Sequence, residues 1–411
     1  MNRGEEYPPH YLIIREEHIH MSRRRRQSEK GPVNAIDLGK KAGLTLMTES
    51  TASNVSDWLP TMIPQLDYIL GGGIPFGRVT EIYGKEQSGK STLAVLLTKI
   101  AQQMGVTVVW ADVEGTASQE NLEQLGADPN NLFLIQPKEG EVMTIEMVTE
   151  RVKEVVLAFG AEGVPVMIIW DSLASTASER ALKNPNQLGT TAASITSMTE
   201  QIGQTINQNN TAFIILNQAR DVMGSMYPQI KSSGGRALEH WGSLRLEVAK
   251  ASQLKEKVID PVTLKESEEY VGHIFRVKTK KSKVSTPNRQ AEMYLISMPF
   301  KGFDFAENVY RASVDQYGFI SKGAWRKYTT DAGEEINLRH TEWVPFLESD
   351  EGRPVLQELY RKMHLQMFPE GFAPLDNENI DVTVNPFYAE MADYYEELHK
   401  VKKEEVTKET K

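Results

Sequence analysis

Three stretches, VTVVWAD (106–112), PVMIIWD (165–171) and TAFIILNQ (211–218), are apolar almost without a break and end in a carboxylate or a pair of amides. A strand with one wet face alternates apolar and polar residues, so runs this continuous belong to strands covered on both faces. RVTEIYG (78–84) is a fourth such strand, and STLAVLLTKIAQQM (91–104), with one apolar face, reads as the helix that follows it. Strands alternating with helices predict an α/β fold, a mostly parallel sheet flanked by helices with ligand-binding groups at the strands' carboxyl ends. Two more β-rich runs, EYVGHIFRVKT (269–279) and AEMYLIS (291–297), are expected to extend the sheet antiparallel.

Between the fourth strand and its helix lies EIYGKEQSGKST (81–92), which contains the pattern G-x(4)-G-K-S. Gly84 and Gly89 let the backbone turn tightly so that successive N–H groups point inward at phosphates. Lys90 puts a cation on the terminal phosphates, Ser91 offers a hydroxyl to a magnesium ion, and the helix beginning there adds its positive end. The strand before and the helix after are the context that separates this loop from a chance match. ATP with Mg²⁺ is the expected cofactor, contacted along the loop by Gly84, Lys85, Glu86, Gln87, Ser88, Gly89, Lys90, Ser91 and Thr92. Asp171, closing an apolar strand, is placed to hold Mg²⁺ through water. Glu114, just past VTVVWAD, can orient and deprotonate an attacking water, with Asp112 as its rival. Gln218 ends its strand with an uncharged amide that can sense a terminal phosphate.

The net charge of −10 argues at first against nucleic acid, but the charge is unevenly placed. Residues 341–411 hold 16 acidic against 8 basic side chains, while RRRR (23–26) and KTKKSK (278–283) concentrate positive charge. Placement, not bulk charge, decides what a surface can bind. With no cysteine the chain has neither disulfides nor thiolate metal sites, which fits a reducing cytoplasm. No run is long and apolar enough for a membrane span, and no secretory leader pattern opens the chain. Met21 would also make a sensible start, so residues 1–20 read as a non-native extension.

Taken together, GKEQSGKST, ADVE, MIIWDS and ILNQ, in this order and spacing, resemble the RecA-type strand-exchange recombinases. GGGIPFGRVTEIYG, LGADPNNLFLIQP, SSGGRALEHWGSLRLEV, KKSKVSTPNRQAEMYLI and YGFISKGAWRKY extend the resemblance over about 56–330. From TTDAGEEIN onward the tail is closer to the phage UvsX-like branch. The resemblance implies an ATPase that forms helical filaments on single-stranded DNA and pairs it with homologous duplex. A single-strand-binding protein and a loader are further implied partners. Glu114 resembles the family's catalytic carboxylate and Asp171 its Mg²⁺-side aspartate. Gln218 resembles the residue linking ATP to the DNA loop that follows it, here ARDVMGSMYPQIKSSGG (219–235).

In that loop Arg220 and Lys231 can meet phosphates, Met226 and Tyr227 can wedge against bases, and Gly224, Gly234 and Gly235 give freedom. Ser233 belongs to the same segment, and Arg236 follows it directly. ERALKNPNQLGTT (179–191) resembles the first DNA loop, with Arg180 and Lys183 as its charges. Lys281 and Lys283 match lysines that reach a neighbouring subunit's ATP, which would make hydrolysis depend on the filament. The sequence also departs from the family. Ser118 and Asn121 stand where adenine-stacking residues are usual, Ala193 where an arginine is, and Arg236 where an asparagine is.

The expected organisation is an N-terminal arm (1–55), a RecA-like core (56–304), a small α+β C-terminal domain (305–375) and an acidic tail (376–411). Arg23–Arg26 serve either as duplex capture or as a solvated arm. Two rivals stay open: a hexameric motor on the same fold, which would normally supply an arginine finger, and a recombination regulator with weak ATPase.

Overall fold

The computed structural model describes residues 35–44, 46, 55, 57–115, 118–137, 140–184, 187, 189–221, 230–259, 266–297 and 300–367. The chain divides into two units, residues 1–51 and 52–411. The first contributes α1 (Ala35–Lys41), with Ile36 and Leu38 exposed. All remaining elements belong to the second.

That unit opens with β1 (Trp58–Leu59), α2 (Pro64–Leu70) and β2 (Ile74–Pro75), then β3 (Arg78–Gly84), α3 (Lys90–Gln103) and β4 (Thr107–Asp112). There follow α4 (Gln119–Gln124), β5 (Leu132–Ile135), α5 (Ile145–Ala161), β6 (Val166–Asp171), α6 (Glu179–Lys183) and α7 (Thr190–Gln208). Then come β7 (Thr211–Asp221), β8 (Ile230–Ser232), α8 (Gly235–Trp241), β9 (Leu244–Ile259), β10 (Glu266–Ser282), β11 (Gln290–Ser297) and β12 (Phe300–Phe303). The end of the described chain is α9 (Phe305–Asp315), β13 (Trp325–Thr329), β14 (Glu335–Arg339), α10 (Trp343–Glu348) and α11 (Arg353–Met367).

Among the described residues one ten-stranded sheet dominates, ordered β12-β11-β10-β9-β3-β7-β6-β4-β5, with β8 paired to β7. From β9 to β5 every neighbour runs parallel, and β10 to β12 continue antiparallel. This is the α/β architecture that the apolar runs predict. The period of two in a strand places Met167 and Ile169 in one core and Ile168 and Trp170 in another. The first core carries α2, α3 and α9–α11; the second carries α5, α7 and α8. Because both faces are covered, strands with no polar face are the stable solution. The buried indoles find partners, Trp110 donating to Thr98 Oγ1 (3.0 Å) and Trp170 to Thr176 Oγ1 (2.9 Å).

Two differences from the sequence reading matter for function. The strand expected at 211–218 runs on to Asp221, because its last residues pair with β8 as the legs of a hairpin. A strand over Leu244–Ile259, not foreseen, lies between β3 and β10, and its outer half pairs with β10 alone.

Candidate functional site

The phosphate loop spans the end of β3 and the start of α3, and its glycines are fixed by what surrounds them. A Cβ on Gly84 would lie 2.2 Å from the Val248 carbonyl oxygen and 2.5 Å from Ser88 Oγ. Gly89 has φ +91 and a Cβ there would meet the Phe275 ring at 2.7 Å. Gln87 also has positive φ (+55), so the chain coils into a concave turn of N–H groups at the N-terminus of α3. Lys90 Nζ lies back across the turn, donating to the carbonyls of Gly84 (3.2 Å) and Lys85 (2.8 Å). Burial pulls its pKa below the usual lysine value, and Asp171, Glu114 and Glu86 oppose that pull. Ser88 Oγ is buried in the cradle without a partner among the described residues. Beside the loop lies a cavity of about 810 Å³ lined by Lys85–Ser88, Glu247, Lys250 and Lys280.

The acids come together because β4 and β6 are parallel neighbours with Asp112 in register with Asp171. Val113 N–H donates to the Asp171 carbonyl at 2.8 Å, carrying the next residue, Glu114, to the same strand end. Ser91 Oγ donates to Asp171 Oδ2 at 3.2 Å. Burial above all, then the charges of Glu114 and Asp112, push Asp171 up to about 6, against the Ser91 hydrogen bond and Lys90. Glu114 Oε1 accepts from Ser172 Oγ (2.6 Å) and from Ser175 Oγ. The peptide between Asp171 and Ser172 is cis. A glycine cradle with an orphan hydroxyl, a lysine, and a Ser91–Asp171 pair fit a nucleoside triphosphate with magnesium. Ser91 and Asp171 would hold the ion, which polarises the terminal phosphate.

The DNA-loop candidates gather at the neighbouring strand tips. Gly84 is in register with Gln218 on β7, and Ser233 N–H donates to the Gln218 carbonyl at 3.0 Å. Arg220 faces Lys231 across the hairpin. A cavity of about 520 Å³ is lined by Arg220, Ser233, Gly234 and Gly235 together with Ala181, Gly189 and Thr191, so segments of both expected DNA loops share it. Arg180 and Lys183 are exposed on α6, Lys183 pairing with Glu179 at 3.6 Å. Lys231 pairs with Glu239 at 3.6 Å, and Arg236 is exposed on α8. Gly224, Met226 and Tyr227, Arg23–Arg26 and the acidic tail lie outside the described residues.

Lys281 and Lys283 sit apart from the chain's own loop. Lys281 Nζ donates to the last carbonyls of α8, Glu239 and His240, at 2.7 Å each. Lys283 lines a separate cleft of about 1150 Å³ with Arg78, His240 and Trp241. Ser118 and Asn121 form a helix cap, Ser118 Oγ accepting from Asn121 N–H at 3.2 Å at the start of α4.

A buried network absent from the sequence expectations ties the hairpin to β3 and β9. Glu81, wholly buried on β3, accepts from Arg245 Nε at 2.6 Å and from Asn217 Nδ2 at 2.9 Å. Arg245 Nη2 also reaches Ser232 Oγ at 2.8 Å, and Asn217 Nδ2 the Ser233 carbonyl at 2.6 Å. A signal was present: a charge inside a strand buried on both faces, as in RVTEIYG, demands a partner. Ser172 and Ser175 carried no comparable signal.

A parallel sheet with a phosphate loop, an acid pair on the adjoining strands and a hairpin rising beside it defines a RecA-type nucleotide-binding protein. Residues 33–300 match the RecA N-terminal domain. Protein RecA of Thermotoga neapolitana is 30% identical over 330 residues, covering 79% of this chain and 88% of that protein. Protein RecA of Chlorobium chlorochromatii is 31% identical over 348 residues (83% and 87%). That of Streptomyces coelicolor is 33% identical over 315 residues (74% and 78%). The chain belongs to the RecA family.

Proposed function

We propose that this protein is an ATP-dependent DNA strand-exchange recombinase, a DNA-dependent ATPase that assembles on single-stranded DNA and pairs it with homologous duplex in the cytoplasm. The observation that carries the reading is the common strand-tip row: the phosphate loop, Asp171, Glu114 and Gln218 stand side by side, and the Gln218 strand continues into the hairpin that borders the DNA-loop cavity. A chain built this way can let one end of the sheet feel both nucleotide and DNA.

In the mechanism, the N–H groups of the loop bind the phosphates and Lys90 leaves its backbone carbonyls to neutralise the terminal one. Ser91 and Asp171 would hold a magnesium ion, which would stabilise charge on the transferred phosphoryl group. Glu114 orients the attacking water and accepts its proton. Gln218 hydrogen-bonds the terminal phosphate, and its loss relaxes the hairpin and frees the DNA. Hydrolysis therefore times dissociation; exchanging like duplexes is nearly balanced and needs little energy. Lys281 and Lys283 complete the site of a neighbouring subunit, supplying charge stabilisation across a filament interface. A phage origin is a further part of the proposal and rests on the segment from TTDAGEEIN onward.

The test is pairing of a labelled single strand with homologous and unrelated duplexes in the presence of ATP. The reading expects strand displacement from the homologous duplex alone. Unwinding regardless of homology would favour the motor, and neither pairing nor hydrolysis the regulator.

A further inference from the structure

We propose that Ser175 is a positioning residue through which bound DNA controls how freely Glu114 can receive the attacking water. The inference rests on the recombinase reading and adds a coupling route separate from Gln218. Glu114 Oε1 receives two hydroxyl donors, Ser172 at 2.6 Å and Ser175, whose oxygens lie 2.9 Å apart. Each hydroxyl has one proton, so when both donate to Glu114 they fill the lone-pair positions of that one oxygen and the serine pair shares no hydrogen bond of its own. An oxygen held by two donors has no lone pair left for the attacking water.

The two serines differ in what else they face. Ser172 is buried, 2% exposed. Ser175 is exposed and stands in the wall of the cavity that Arg220, Gly189 and Gly234 also line. It thus touches the proposed general base on one side and the space between the two DNA loops on the other. Arg220 gives that space the charge that draws in a backbone phosphate. A phosphate oxygen that accepts the Ser175 hydrogen bond takes it from Glu114, which then keeps Ser172 as its one hydroxyl donor and has a lone pair open to the attacking water. No covalent bond changes; one hydrogen bond is redirected.

The experiment is steady-state ATP hydrolysis by the full chain, without DNA and at saturating oligothymidylate, for wild type, Ser175→Ala and Ser175→Thr. Because Ser175 is exposed, the alanine variant should fold, and its thermal midpoint checks this. Ser175→Ala is expected to raise the DNA-free rate by about three- to tenfold while the DNA-saturated rate stays within about twofold, so that stimulation shrinks. Ser175→Thr, which keeps the hydroxyl, should retain the low DNA-free rate. A DNA-free rate in Ser175→Ala that is unchanged or lower, beside a stimulated wild type, would overturn this inference and leave the recombinase reading intact. A wild type indifferent to DNA would overturn both.

Discussion

Asp67 shows how one residue can set a pH response remote from the site. Its carboxylate is buried in the first turn of α2 and accepts from Thr61 N–H (2.7 Å) and Thr61 Oγ1 (2.8 Å). Burial outweighs those donors and pushes it from 3.8 up to about 7. The folded chain thus keeps a proton that the unfolded chain releases. The associated stability is fully present below pH 3.8 and is lost as pH rises toward about 7, on the order of 4 kcal/mol across that window. Urea unfolding of Asp67→Asn and wild type over this range should show the variant gaining on the wild type as pH rises. Parallel curves would mean that Asp67 titrates normally.

At the scale of elements, the base of the hairpin is tied to β3 by the Glu81–Arg245 pair, with Glu81 wholly buried and Arg245 11% exposed at its side chain. Removing one partner strands a buried charge, which typically costs about 3–5 kcal/mol, whereas replacing both with apolar residues is often neutral. Arg245→Met should therefore lower the urea midpoint sharply, and Glu81→Met/Arg245→Met should recover most of the loss. A single variant as stable as wild type would show that the pair carries little.

The same scale explains what the sequence could reveal. The core strands were legible because burial on both faces removes polar residues from 106–112, 165–171 and 211–218. β9 was not, because its outer half, in AKASQLKEK, pairs with β10 alone and carries the polar, charged residues of an exposed hairpin. The phosphate loop was legible because its residues are contiguous. The holders of Glu114 were not: Ser172 and Ser175 meet it across 58 and 61 residues, and a serine after a strand has many uses. Arg245 meets Glu81 across 164 residues, a pairing that only the sheet order creates.

Over the whole molecule, that order places β3 between β7 and β9, so the loop stands next to both the Gln218 strand and the strand bearing Arg245. Lys281 and Lys283 are directed elsewhere, Lys281 to the carbonyls of α8 and Lys283 to its own cleft. If they serve a neighbour's site, defects on opposite sides of an interface should complement. Neither Lys90→Ala nor Lys281→Ala/Lys283→Ala should hydrolyse ATP alone. Mixed in equal amounts on single-stranded DNA, they should regain activity at roughly a quarter of head-to-tail junctions. A mixture as inactive as its components would place the lysines outside the reaction.

The ATP hydrolysis rate with and without single-stranded DNA, for wild type and Glu114→Gln with nucleotide binding measured alongside, reports most directly on a DNA-dependent ATPase built around Glu114. The wild-type rate should be strongly raised by DNA, and the variant should bind nucleotide normally but hydrolyse little in either condition. A rate that ignores DNA, or a variant as active as wild type, would contradict it.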